Sequence, residues 1–162
     1  MALHNEPDEP TLERIAAICG REDVLYSYRH ALVAFVDGAP AGICLCYDGG
    51  RYHALRAVTF PLFDPNAAMD LDHAEDEAYP GEWYVDSLAV FPPFRRLGLG
   101  RALLRAQLRQ AASQGFARAS LLVDPANPGA RRLYESVGFF PDPTHPQIYA
   151  FGQSFDRLIC LL

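Results

Sequence analysis

Asp86 stands inside the apolar run Tyr84-Val85-Asp86-Ser87-Leu88-Ala89-Val90, and a carboxylate in that setting is equipped to accept a proton. Aspartate is depleted from strand interiors and costly to bury without a partner. Period-two alternation predicts that it shares a face with Tyr84, Leu88 and Val90. An exposed bulge, or pairing with an arginine, would also account for it, and Asp124 and Glu82 are the reserve bases. A few residues on comes Arg95-Arg96-Leu97-Gly98-Leu99-Gly100-Arg101. A strand that turns through glycines into a helix leaves unpaired N–H groups at the helix N-terminus, where the helix dipole favours an anion. Arg95, Arg96 and Arg101 add positive charge, while Gly98 and Gly100 let a phosphate approach the main chain. The dinucleotide fingerprint fails because Leu103 occupies the third glycine position, and the Walker loop fails because the chain has no lysine. What remains is Arg-x-x-Gly-x-Gly, read either as a site for a phosphate-bearing ligand or as an ordinary strand-to-helix turn.

The elements that must position these residues follow in order. Residues 100–114 read as a helix, with Leu104, Leu108 and Ala111 on one stripe and Arg101, Arg105 and Arg109 on another; Gly115 stops it. Residues 117–123 form a short apolar strand closed by Asp124-Pro125. Asn127-Pro128 starts a second helix, Asn as cap and Pro in the first turn, with Ala130, Leu133, Tyr134 and Val137 on its apolar stripe and Gly138 at its end.

Strand, anion loop, helix, strand and helix in this order resemble the GNAT superfamily of N-acetyltransferases. The resemblance rests on Leu88-Ala89-Val90, Arg95-x-x-Gly98-x-Gly100, Asn127-x-x-Ala130-x-x-Leu133-Tyr134 and Gly138-Phe139, and it covers residues 83–140. It implies acetyl-CoA as donor, bound where two neighbouring parallel strands splay. It also implies a bulge at Leu88, Ala89 and Val90, whose backbone pairs with the pantetheine arm and faces the thioester oxygen. Residues 95–101 take the pyrophosphate, and Asn127 lies near the pantetheine or thiol end. Tyr134 matches the family's general acid, a phenol of pKa ~10 set against a thiol of ~8.5. The resemblance makes Asp86 the carboxylate that relays the amine proton. An alkylammonium at pH 7 costs about 4.6 kcal/mol to deprotonate, so some base must assist. Protein-acetylating members carry a glutamate where this chain has Leu122, a departure that points away from protein substrates.

Composition narrows the function classes. A chain of 162 residues matches one domain, taken here as 1–162. Net charge −6 argues against nucleic acid as a partner. No apolar run approaches ~18 residues, and Met1-Ala2-Leu3-His4-Asn5-Glu6 lacks the features of a signal peptide, so a cytoplasmic location is expected. Cys44 and Cys46 project to one side of a strand, but no second pair or histidine cluster completes a metal site, and none is expected.

In the front half, residues 11–19 read as a helix behind a Thr11 cap, with Leu12, Ile15, Ala16 and Cys19 on its stripe. Residues 31–36 and 41–47 are strands joined through Asp37-Gly38. Tyr52, Leu55, Ala57 and Phe60 fit neither period, and family position makes residues 52–63 a helix or part of the acceptor wall. Residues 70–77 hold five acids, Asp70, Asp72, Glu75, Asp76 and Glu77: a solvated face, or a rim that concentrates a cationic amine. The apolar C-terminal stretch 155–162 must be buried in the sheet or against a second subunit, and a homodimer is expected. The fold class is α/β, a mixed, mostly antiparallel sheet splayed at one central parallel pair and flanked by helices. The expected reaction is direct acetyl transfer from acetyl-CoA to a primary amine, a small and polyamine-like cation. The alternatives are a protein or peptide Nα-acetyltransferase and a catalytically silent acyl-CoA-binding regulatory module.

Overall fold

Asp37 and Gly38 both adopt left-handed backbone, φ 49° and 79°, the geometry that lets a two-residue turn follow the twist of a hairpin. They join β1 (Ala31–Val36) to β2 (Ala39–Asp48), which pair antiparallel. The computed structural model describes residues 8–63, 75–150 and 152–162. Met1 to Glu6, and Asp70 and Asp72 of the acidic run, lie outside the described residues.

Beyond the hairpin come helix α2 (Tyr52–Phe63), β3 (Trp83–Val90), α3 (Leu99–Ser113), β4 (Arg118–Val123), α4 (Pro128–Glu135) and three further strands, β5 (Phe140–Pro141), β6 (Gln147–Ala150) and β7 (Gln153–Leu161). The sheet runs β1-β2-β3-β4-β7-β5, with β6 also on β7. Among the described residues, only β3 and β4 pair in parallel; the other pairings are antiparallel. Alternation along β2 divides the core. Cys44 and Cys46 face α3 with Trp83, Val85, Leu103 and Leu104, while Leu45 and Tyr47 face α2 with Leu25, Tyr52, Leu55 and Tyr84. Among the described residues, no helix is long and apolar enough to cross a membrane.

Helix α1 is Glu9–Cys19, capped by Asp8 and not Thr11: the Asp8 carboxylate accepts the Thr11 N–H at 3.0 Å. Pro10 in its first turn needs no amide partner, so the helix begins two residues early. Its buried residue is Ile18, whereas Leu12 is exposed. Residues 52–63 are a helix that buries Tyr52, Leu55, Arg56 and Thr59, a helical spacing hidden by two polar members. Thr59 earns its burial by hydrogen bonding: Oγ1 donates to the Leu55 carbonyl at 2.7 Å and accepts the Leu25 N–H at 2.8 Å.

The C-terminal stretch enters the sheet as β7, between β4 and β5. Its Arg157 is fully buried and donates to both Glu82 oxygens at 2.8 and 2.6 Å and to Asp142 at 2.9 Å. Glu82 is also fully buried and lies 3.3 Å from Arg118. Removing one partner of a buried ion pair strands the other charge. Arg157→Met is therefore expected to lower unfolding free energy by about 3–5 kcal/mol in urea titration; a loss within ±0.5 kcal/mol would show that the network does not hold β7.

Candidate active site

The ladder between β3 and β4 stops after Val85, opposite Leu121. Beyond that point β3 keeps its pairing with β2 but has an open side toward β4. Phe91 N–H donates to the Ala41 carbonyl at 2.9 Å, so by alternation the N–H and C=O groups of Leu88 and Val90 point to the open side. Arg95 Nε donates to the Val90 carbonyl from that side, at 3.1 Å. Of the three expected backbone positions, Leu88 and Val90 thus present an open edge, whereas Ala89 turns its backbone groups toward Ile43 of β2.

The bulge lies elsewhere. The β2–β3 register pairs Leu45 with Ser87 and Cys46 with Val85, leaving Asp86 as the extra residue. Leu88 and Val90 are in regular register with Cys44 and Gly42. This corrects the predicted facing. One inserted residue inverts alternation, so Tyr84 and Asp86 look toward α2 while Leu88 packs into the core on the α3 side.

On the α3 side, the turn after β3 carries left-handed residues at Arg96 (φ 65°) and Gly98 (φ 80°). Gly98 caps α3 without any side-chain hydrogen bond to the first turn. A Cβ at Gly98 would meet nothing within 4 Å, whereas one at Gly100 would stand 3.2 Å from Leu133. Arg95, Arg96, Gly98, Leu99, Gly100 and Arg101 line a cavity of about 560 Å³. Free helix-terminal N–H groups, arginines and open space fit an anion of pyrophosphate type. Leu97 does not join this wall; it is 62% exposed. Arg101 also donates to Ser136 at 3.0 Å, tying α3 to the end of α4.

A neighbouring cavity of about 580 Å³ shares Val90, Arg95, Gly100 and Leu133 with the first, and adds Leu88, Ala89, Asn127 and Tyr134. Asn127 caps α4 as predicted: its Oδ1 accepts the Ala130 N–H at 3.0 Å, which leaves the side-chain amide protons to meet a ligand. Tyr134 is half-buried, edge-on to Phe139 with ring centroids 6.1 Å apart. Burial raises its pKa, and Cys44 and Cys46 nearby add to the effect, so the phenol holds its proton at neutral pH. Those two thiols are themselves buried, Sγ to Sγ 3.6 Å.

On the α2 side, Asp86 lines a partly open cavity of about 230 Å³. Tyr47 Oη donates to its Oδ2 at 2.7 Å and Ser87 Oγ to its Oδ1 at 2.8 Å. Burial raises the carboxyl pKa, opposed by these two hydroxyls and by His30. The reserve bases are placed differently. Glu82 is locked against Arg157, and Asp124 Oδ1 accepts the Ala126 N–H at 2.8 Å in the turn before α4. Tyr84, expected on the same face as Asp86, and Glu77, one acid of the run read as a solvated face or a cation-concentrating rim, share this cavity with Asp86, and the Tyr84 hydroxyl donates to Glu77 at 2.7 Å. No local pattern distinguishes Glu77 from the other acids of the run.

Residues 2–139 match the model of the acetyltransferase (GNAT) family. A mycothiol acetyltransferase from Thermobispora bispora is 47% identical over 70 residues, which are 41% of this chain but only 23% of that protein. A [ribosomal protein bS18]-alanine N-acetyltransferase of Escherichia coli is 43% identical over 53 residues, 33% of this chain and 36% of its own length. Among solved structures, an N-acetyltransferase from Staphylococcus aureus Mu50 superposes with a TM-score of 0.75 at 25% identity, covering 96% of this chain and 82% of that one.

Proposed function

Because the chain belongs to the GNAT acetyltransferase family, whose members use acetyl-CoA, we propose that it is a single catalytic domain moving an acetyl group from acetyl-CoA directly to a small cationic primary amine. The observation that carries this reading is the break after Val85. Asp86 faces one cavity and Leu88, two residues on, faces another on the opposite side of the sheet. Donor and acceptor can thus approach one point of β3 from opposite sides.

The bound donor supplies the activated acetyl group. Arg95, Arg96, Arg101 and the backbone of Gly98, Leu99 and Gly100 hold its phosphates, the open backbone of Leu88 and Val90 receives the arm and the charge developing on the carbonyl oxygen, and Asn127 lies beside the arm. Asp86 takes a proton from the incoming ammonium, directly or through water. The free amine attacks the thioester carbonyl to form the C–N bond; the C–S bond then breaks as Tyr134 gives its proton to the departing sulfur, and the second amine proton leaves nitrogen through water to restore the phenol. The alternative of a protein Nα-acetyltransferase draws on the similarity to the alanine acetyltransferase, but the cavity at Asp86 is lined by Leu122, where protein-acetylating members carry a glutamate.

Two measurements test the reading. Acetyl-CoA at 100 times its Kd is expected to stabilise the fold by about 2.7 kcal/mol, seen as a rise in Tm. Gly98→Val is expected to abolish that rise, because a β-branched residue is strained at φ 80° and fills the anion cradle; an unchanged rise would remove the loop from the site. Thiol release from acetyl-CoA, followed over primary amines and short peptides, identifies the acceptor; release with peptides alone would favour the protein-modifying alternative.

A further inference from the structure

The cavity at Asp86 holds a second carboxylate that the transfer chemistry does not use. Glu77 lies in the segment leading into β3, half-buried, and its Oε2 accepts the Tyr84 hydroxyl at 2.7 Å. Tyr84 is itself buried. The remaining walls are apolar or aromatic: Leu25, Tyr26, Tyr52, Phe60, Leu122 and Phe155. Among the described residues, no arginine or histidine lines this cavity. Arg56 is not part of the lining, with its guanidinium over the Tyr52 ring at 5.3 Å and Nη1 3.3 Å from Asp76, and its charge also acts on Glu77.

We propose that this cavity is a specificity site for a compact monocation with an apolar or aromatic body, its ammonium held between Glu77 and Asp86 and its body enclosed by the aromatic wall. The inference rests on the acetyl-transfer reading for the identity of the acceptor, but the binding site stands on its own geometry.

Three observations carry it. Two carboxylates sharing one cavity raise each other's cost of ionisation, and a cation between them relieves both. Aromatic faces attract an ammonium and pack against an apolar body at the same time. The volume, about 230 Å³, is below the ~300–1,000 Å³ of sites for drug-sized ligands. A long polyamine exceeds that space, so a compact arylalkylamine-like acceptor is proposed in place of the expected polyamine-like one. Burial also raises the Glu77 pKa, with Asp86 adding to the effect and Tyr84 opposing it.

The test is calorimetric titration of the CoA-saturated protein with four probes: 2-phenylethylamine, its trimethylammonium analogue, 2-phenylethanol and butane-1,4-diamine. Both aryl cations are expected to bind at least about tenfold more tightly than the alcohol, and more tightly than the diamine. Glu77→Gln is expected to weaken both cations by about tenfold and leave the alcohol unchanged. Equal binding of alcohol and cations, or preference for the diamine, overturns the proposal, and the wild-type series decides this even if the variant fails to fold. The trimethylammonium probe cannot be acetylated, so its binding is read apart from turnover. Tight binding of that probe with no acetylation of any amine would uphold the cation site and remove the transfer reading. Acetylation of amines without the cation preference would do the reverse.

Discussion

Tyr134→Phe is expected to lower kcat by roughly 10²–10⁴-fold while the KM for acetyl-CoA stays within a few-fold, the range seen when a general acid is removed. The ring stays against Phe139, so packing is preserved and only the hydroxyl is lost. That hydroxyl matters when sulfur leaves. Burial keeps the phenol protonated, which makes it a competent donor across the neutral range and places any basic limb from its titration above the ordinary tyrosine value. A Tyr134→Phe enzyme with wild-type kcat and unchanged Tm would return this residue to the core.

Asp86→Asn is expected to cost a comparable factor in kcat/KM near neutrality, with partial recovery at high pH, where more of the amine is already free. Burial lifts the Asp86 carboxyl above its usual range, against the pull of Tyr47, Ser87 and His30, so the acidic limb of wild type lies above pH ~3.9. The same shift has a consequence for stability. A group whose pKa is higher in the folded state adds stability below its unfolded value and loses that contribution as pH rises through the folded value. Asp86→Asn should therefore gain Tm relative to wild type at pH 8 and gain less at pH 4. Comparing amines of different pKa separates the Asp86 limb from titration of the acceptor. A profile unchanged by the substitution for every amine would make Asp86 structural. Tyr47→Phe offers an independent check: with one donor removed from Oδ2, the limb should move to higher pH.

The half of the chain after residue 83 was legible because its signals are local. Gly98 and Gly115 at left-handed turns, Asn127 with Pro128 at a helix start, and the short apolar run of β4 each act within a few residues. The donor surface of the candidate site came with them. What was not legible depends on contacts distant in sequence. The bulge at Asp86 exists because β2 and β3 lose register between Leu45 and Cys46, and nothing in residues 84–90 alone marks which position is the extra one. Counting by two therefore puts Asp86 on one face with both Tyr84 and Leu88, whereas the structure keeps it with Tyr84 and sets Leu88 on the opposite face. Glu77 joins the cavity at Asp86 only through Tyr84 and the packing of α2, and in sequence it is one acid of a run that reads equally as a solvated face or a cation-concentrating rim. Glu82, a reserve base by proximity, turned out to answer a residue 75 positions later, Arg157. The period of α2 was masked because two of its buried positions, Arg56 and Thr59, are polar.

The most direct measurement of the central claim is mass analysis of both amine and protein after mixing wild-type enzyme with acetyl-CoA and 2-phenylethylamine. Direct transfer across the break in β3 predicts one acetamide formed for each CoA released, with the protein mass unchanged at every time point. No CoA release with this or any other primary amine, while acetyl-CoA still raises Tm, would contradict the account and leave a silent acyl-CoA-binding module; an acetylated protein appearing ahead of the acetamide would contradict direct transfer.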